Sequence, residues 1–437
     1  MNTIKSEIFE PEIKIKQVSI ENFRGFENLK LEFQPDLTVL IGENGAGKTA
    51  VLDCLTLLLK FFQEHIKYKD SVNIGDIYFN SLDIKQNLSK ISNSISLLLE
   101  NEKIDFNLDF PDSKIEGLLP NHNFLPSDQH LLKQIKPLHE KIINNLANIP
   151  LAVYYPANNA PVNTIDFGAN SHFQTDTFSA YEGALDKKSF DFVNFFNWYK
   201  WQENIEKQIG KNKALDAVRE AIYNILSDKD KQFDKLSINW LNNPNGEMII
   251  NKENTPLNIN QLSSGEKTLL ALVADLARRL AIANPHRENP LIGNGVVLID
   301  EVDLHLHPRW QRKVVPQLQK TFPNCQFIVT THSPLVLSSV PHKNVIILED
   351  FQAVKITPHT FGRDNNSILY DLMGVKQRPE EIQQKLDKVY DLIDEEKKYE
   401  ARTLLKELSK DLGENDVAIV QANVSLDFMD IDDETNS

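Results

Sequence analysis

Residues 42–49 read Gly42-Glu43-Asn44-Gly45-Ala46-Gly47-Lys48-Thr49 and stand between an apolar run at 37–41 and a second apolar run at 50–62. The octapeptide has P-loop spacing, and its flanks supply the strand-then-helix context that such a loop needs. The chain is therefore expected to fold around an α/β core. Backbone N–H groups of the Gly-rich turn and of the following helix can surround phosphate oxygens. Lys48 then reaches the β- and γ-phosphates as a point charge, and the Thr49 hydroxyl ligates Mg²⁺, an ion that takes oxygen ligands. ATP with Mg²⁺ is the expected ligand.

A second chemical segment runs Val296-Val297-Leu298-Ile299-Asp300-Glu301. Four apolar residues ending in two carboxylates predict a buried central strand whose C-terminal edge meets the ligand. Asp300 is expected to hold the metal, leaving Glu301 free to take a proton from the attacking water as general base. A further apolar strand over 326–330 leads to Thr331, His332, Ser333 and Pro334. His332 is a candidate donor to the charge that develops on the γ-phosphate.

Between these segments lies Leu262-Ser263-Ser264-Gly265-Glu266-Lys267, followed by a periodic apolar run over 268–282. On its own, a Ser-Gly pair with Glu266 in the first turn is a good helix start. In this order along the chain it resembles the Leu-Ser-Gly-Gly-Gln signature of the ABC ATPases, with Ser264 and Glu266 replacing Gly and Gln. The resemblance implies that Ser263, Ser264, Gly265 and Glu266 contact a γ-phosphate bound to a second copy, and that Asp303 crosses the same interface. His305 and His307 directly follow Asp303, so an interface role is favoured over a metal site.

Composition sets the outer limits. A chain of 437 residues that is 41% hydrophobic can bury one large or two modest cores. No apolar run reaches membrane-span length, and residues 1–20 lack the charged-then-apolar order of a secretory signal, so a cytoplasmic protein is expected. Cys54 and Cys325, in apolar surroundings, read as reduced core residues. The net charge of −15 argues against a uniformly basic DNA-coating protein. Three local basic groups, Lys187-Lys188, Arg278-Arg279 and Arg309 with Arg312-Lys313, read as solvated helix faces ahead of phosphate contacts.

Periodicity places the remaining elements. Strands over 13–20 and 29–33 flank a turn at Asn22-Phe23-Arg24-Gly25, a short strand is expected over 74–79, and 91–99 pairs antiparallel with 104–110. A helix within 121–148 and a strand over 151–155 lead to the turn at 156–159, a candidate loop between nucleotide and insert. The stretch 190–225 is helical, and its seven aromatics (Phe190, Phe192, Phe195, Phe196, Trp198, Tyr199 and Trp201) read as packing surface ahead of a base-stacking platform. Residues 379–412 form two amphipathic helices, and the acidic end from 427 reads as disordered or as a peptide-like contact. The expected division is an N-terminal ATPase lobe at 1–110, a mainly helical insert at 111–255, a C-terminal ATPase lobe at 256–376 and a helical hairpin with tail at 377–437.

Taken together, the opening at 20–27, the P-loop, 261–267, 298–312 and 322–337 resemble the soluble ABC-type ATPases related to RecF and the SMC proteins, and within them the PtuA ATPases of the Septu antiphage systems. The resemblance implies an ABC-type P-loop NTPase fold: a mixed sheet, an antiparallel β subdomain, a helical insert and a C-terminal helical hairpin. It also implies Arg24 as a nucleotide contact, a head-to-tail ATP-sandwich dimer, and a PtuB-like HNH nuclease as the partner through which DNA is reached. Two other functions stand beside this one: a repair ATPase that binds DNA directly without a nuclease, and a transporter ATPase, which the large insert disfavours.

Overall fold

The computed structural model describes residues 8–68, 83–85, 90–99, 102–110, 126–157, 176–186, 192–241, 243–354, 358–374 and 378–435. The strand expected at 74–79, the Lys187-Lys188 pair, and Asn158 and Asn159 of the expected loop lie outside them. Contacts divide the chain into two compact units, one ending at Asp364 and one beginning at Asn365.

The first unit opens with an antiparallel sheet of β1 (Ile13–Glu21), β2 (Asn28–Glu32), β4 (Ile91–Leu99) and β5 (Glu102–Phe110), in the order β2-β1-β4-β5. Beside it is a six-stranded sheet ordered β13-β12-β3-β11-β10-β6. Its strands are β3 (Leu37–Ile41), β6 (Leu151–Tyr155), β10 (Gly295–Ile299), β11 (Cys325–Thr330), β12 (Val345–Glu349) and β13 (Gln352–Ala353). All neighbours are parallel except the β12–β13 hairpin. Every residue of β3, β6, β10 and β11 is buried, as expected of parallel strands covered on both faces. Helix α1 (Lys48–Tyr68) is buried almost all round, polar Asp53, Thr56, Gln63 and His65 included, with Phe62 stacked on Phe106 of β5.

One buried amide joins the two sheets. The β1–β4 register slips between Ile15, opposite Leu97, and Gln17, opposite Ser96, so Lys16 is the bulged residue. Gln326 of β11, fully buried, accepts from Ile15 N–H at 2.7 Å and donates to the carbonyls of Ile15 at 2.8 Å and Gln34 at 2.7 Å.

Between β5 and α5 the first unit also holds α2 (Pro126–Ile143), α3 (Phe192–Ile209), α4 (Lys213–Leu226) and an antiparallel meander of β7 (Phe233–Asn239), β8 (Glu247–Lys252) and β9 (Thr255–Asn258). Phe192, Phe195, Phe196, Trp198 and Tyr199 are buried, so the packing reading holds for these five; Trp201 is half exposed, and Phe190 lies outside the described residues. Helix α5 (Ser264–Ala283) corrects one expectation. Arg278 and Arg279 are neither a solvated face nor a phosphate contact: both are buried and pair with the buried Asp275 at 2.7 Å. Burial opposes ionisation of Asp275, yet Arg279 and Arg278 hold its carboxyl below the usual range. Three short helices complete the unit: α6 (Pro308–Gln311), α7 (Val314–Thr321) and α8 (Pro334–Leu337). Cys54 and Cys325 are free and buried, and burial pushes the Cys325 thiol up to about 12.

The second unit contains α9 (Asn365–Met373), α10 (Glu380–Asp394), α11 (Lys398–Leu412) and α12 (Val417–Thr435). The two amphipathic helices are present. The acidic end, however, is helical to Thr435, a correction to the disordered reading. Ile419, Ala422 and Leu426 of α12 close a core with Leu386, Val389, Leu405 and Leu408, and Asp427 and Asp430 pair with Arg402 of α11.

Gln326→Leu keeps the volume of the side chain but leaves one N–H and two carbonyls without partners at the sheet junction. At about 1–3 kcal/mol for each orphaned group, thermal unfolding followed by circular dichroism is expected several degrees below the parent. An unchanged transition would show that the amide does not join the sheets.

Candidate active site

The P-loop leaves the C-terminal edge of β3 and enters α1 at Lys48. Its turn is closed by Ala46 N–H donating to Glu43 O at 3.2 Å, while Glu43, Asn44 and Gly45 are exposed. Gly47 has φ +99, and a Cβ there would lie 2.5 Å from the Phe26 ring, so no other residue fits without displacing that ring. Lys48 Nζ donates to the carbonyls of Gly42 and Glu43, both at 2.9 Å. Burial pushes the Lys48 ammonium below the ordinary lysine range, against the pull of Asp300 and Glu301. A bound triphosphate adds the negative charge that this buried cation lacks.

Asp300 is the hub. It is 6% exposed, and its two oxygens accept from Thr49 Oγ at 2.9 Å and Thr330 Oγ at 2.6 Å. Thr330 Oγ also accepts from Glu301 N–H at 2.7 Å, and its carbonyl accepts from Val302 N–H at 3.0 Å. One threonine thus orients both carboxylate-bearing residues. Glu301 needs the support: its φ of +52 lies in the left-handed region, which costs about 1–3 kcal/mol and persists only where neighbours over-determine it. Thr49 and Asp300 offer oxygen atoms only and already sit at hydrogen-bond distance, a donor set that fits Mg²⁺. Among the described residues no cluster of three or more His, Cys, Asp or Glu side chains could hold a metal by itself.

After Glu301 the chain turns through Asp303, whose carboxylate accepts from Thr331 Oγ. Ser333 Oγ donates to Gln311 at 2.8 Å, and Gln311 donates to Leu306 O at 3.0 Å. These bonds lock 303–306 to the bend that carries His332, which is exposed. His307 caps α6, its Nδ1 accepting from Arg309 N–H at 3.2 Å.

The signature helix meets the same segment from the other side. A Cβ on Gly265 would lie 2.8 Å from His305 O, so α5 begins in backbone contact with the residues after Asp303. Ser263 is the helix N-cap and Ser264 the first helical residue; both are exposed. Glu266 points inward, accepting from Ser263 N–H at 2.9 Å and from Lys252 at 2.7 Å. Among the described residues no hydrogen bond or ion pair joins 263–266 to 42–49. Asp300, Glu301, Lys48 and Thr49 therefore meet in one chain, whereas Ser263 and Ser264 face outward next to the backbone at His305.

Arg24, at φ +52, pairs with Asp53 of α1 at 2.6 Å and Asp83 at 2.9 Å. Its guanidinium is held against the P-loop helix by two carboxylates. Sequence reading missed Thr330, Asp53 and Lys252. A polar residue ending an apolar strand just before His332 was a signal for Thr330. Nothing local marked Lys252, because its partner is reached only through a hairpin.

A P-loop whose lysine and threonine converge on a strand-end carboxylate pair, within a mixed sheet flanked by an antiparallel sheet and a capped signature helix, defines an ATPase of the ABC-type fold. Residues 37–338 match the family described as "AAA domain, putative AbiEii toxin, Type IV TA system", and the chain belongs to it. The chain is 30% identical to the Retron Ec83 probable ATPase of Escherichia coli, over 95% of this chain and 87% of that one. It is also 30% identical to the Retron Vc95 probable ATPase of Vibrio cholerae, over 82% of this chain and 78% of that one. Septu protein PtuA of Bacillus mycoides is 27% identical over 76% of this chain and 40% of its own length. The retron ATPases thus match at higher identity than the PtuA expected from sequence. No helix among the described residues is long and apolar enough to cross a membrane.

Thr330→Val removes the hydroxyl that orients Asp300 and Glu301 while keeping the strand's shape. Hydrolysis is expected to fall about tenfold or more, as for loss of an orienting hydrogen bond, with nucleotide affinity measured by fluorescent ATP within about twofold of the parent. Thr330→Ser is expected to recover most of the rate. Equal rates for Val and parent would remove Thr330 from the site.

Proposed function

We propose that this ATPase is the nucleotide-driven switch of an antiphage defence complex, working as a head-to-tail pair in which each copy completes the other's ATP site. The observation that carries this reading is the outward-facing pair Ser263 and Ser264 at the start of a 20-residue helix whose Gly265 rests on the backbone at His305. A helix N-terminus aimed at solvent presents N–H groups and dipole to an anion. Among the described residues no hydrogen bond or ion pair joins 263–266 to the chain's own P-loop, so the anion we assign to them is the γ-phosphate on a second copy. Hydroxyls of Ser263 and Ser264 and the main chain at Gly265 bind there, with Glu266 supporting them from behind.

In this reading the P-loop, from Gly42 to Thr49, holds the triphosphate, Lys48 places its charge on the β- and γ-oxygens, and Arg24 with Asp53 braces the helix behind it. Thr49 and Asp300 would hold Mg²⁺, which would supply charge neutralisation at the phosphates. Glu301 accepts the water's proton, and His332 donates toward the γ-phosphate. Closure draws on the difference in affinity between the open and closed pair, and hydrolysis releases it. The division into lobes at 1–110 and 256–376, insert at 111–255 and helical end at 377–437 is our proposed frame for that motion.

The names of the relatives support the defence setting, and a PtuB-like HNH nuclease is the proposed partner, through which the complex reaches DNA. A cytoplasmic address follows from that role. Lys48→Ala is expected to lose nucleotide binding, and Glu301→Gln to keep ATP without turning it over. Light scattering after size-exclusion chromatography with ATP is expected to give a dimer or larger for Glu301→Gln and a smaller species for Lys48→Ala. A Glu301→Gln protein that stays monomeric with saturating ATP would overturn the shared site. Co-purification with the product of a neighbouring nuclease gene, with and without ATP, tests the partner.

A further inference from the structure

The signature loop is held from behind by a charge that a capping box does not need. Glu266 is the third residue of α5, and its side chain is 4% exposed. One carboxylate oxygen accepts from Ser263 N–H at 2.9 Å, and Ser263 Oγ accepts from Glu266 N–H at 3.4 Å. A neutral glutamine would make the same reciprocal pair. The other oxygen accepts from Lys252 Nζ at 2.7 Å. Burying a carboxylate is costly unless a counter-charge accompanies it, and Lys252 is that charge. Burial works against ionisation of Glu266, but Lys252 and Ser263 together hold its carboxyl below the usual range.

Lys252 reaches Glu266 by a specific route. It ends β8, and Glu253 and Asn254, at φ +51 and +64, turn the chain into β9. From β9 a single turn at Ile259–Gln261 leads straight to Ser263. The ammonium also lies 5.6 Å from the ring centroid of Phe233, its cross-strand neighbour on β7. Just before β7, Asp228 faces Arg309 at 3.6 Å and Lys313 at 3.8 Å, so the meander's near end also touches the segment after Asp303.

We propose that Lys252 is a positioning residue for the shared ATP site: its ion pair with Glu266 sets the shape of the loop that presents Ser263 and Ser264, and couples that loop to the β7–β9 meander. The proposal rests on the two-copy reading above. Without Lys252, Glu266 either takes up a proton or swings to water. Protonation weakens its bond to Ser263 N–H, and swinging out breaks it. Both outcomes disturb the signature loop and leave the P-loop, to which it has no bond, unchanged.

The test compares Lys252→Met, Lys252→Arg, Glu266→Gln and the double variant Lys252→Met/Glu266→Gln, with Ser264→Tyr as a block of the exposed face. Lys252→Met is expected to lower kcat about tenfold while fluorescent-ATP affinity stays within about twofold. Lys252→Arg is expected to recover most of the rate because it keeps the charge. The double variant is expected to turn over faster than Lys252→Met alone, since glutamine retains the capping box and needs no counter-charge. A parental rate for Lys252→Met, or a double variant no better than Lys252→Met, overturns the assignment. If Ser264→Tyr is inactive while Lys252→Met is normal, the Lys252 proposal alone falls. A fully active, ATP-associating Ser264→Tyr sinks it together with the two-copy reading.

Discussion

The site depends on one carboxylate that is out of water and fully engaged. Asp300 stands at the end of β10, and its oxygens are claimed by a hydroxyl from α1 and a hydroxyl from β11. In the sheet, β11 lies between β3 and β10, so this pair of bonds ties the P-loop helix to a strand two positions away. The two hydroxyl donors take the place of water at this nearly buried carboxylate. The same threonine carries the strained backbone of Glu301. Thr49, Asp300 and Glu301 therefore share one support, and a small displacement of Thr330 would be felt by all of them.

The helices and meander between β6 and α5 are built into that core. Tyr199 of the aromatic helix α3 donates to Leu236 O at 2.6 Å, anchoring the meander, and the meander in turn meets the signature loop and the residues after Asp303. These attachments differ in weight. The Arg309–Asp230 pair is exposed at both ends and contributes little. Lys252–Glu266 matters more, because its carboxylate is buried and cannot fall back on water. Gly265 completes the clamp by letting α5 start in contact with His305 O.

The C-terminal unit shows how composition misleads. Residues from 427 onward are acidic, and their charge suggested a solvated tail. Asp427 and Asp430 instead face Arg402, and Lys398 donates to Met429 O at 2.7 Å. The apolar stripe that closes the unit is Ile419, Ala422 and Leu426, which lies almost wholly before the acidic run. Packing of that stripe and the bonds of the last turns to Arg402 and Lys398, and not the charge alone, decided the state of α12.

What the residues alone determined was each feature written in consecutive positions: the P-loop between strand and helix, the apolar strand ending in Asp300 and Glu301, the capped start of α5, and the buried aromatic helix. Such runs are legible because backbone period and local chemistry are set by neighbours in the chain. The tertiary structure alone decided what each buried polar group bonds to. Gln326 serves Ile15 across 311 positions, Thr330 serves Asp300 across 30, and Arg278 and Arg279 are charged in sequence yet enclosed around Asp275 in space. A buried donor or acceptor must find a partner wherever the fold supplies one, and that partner is fixed only when the layers close.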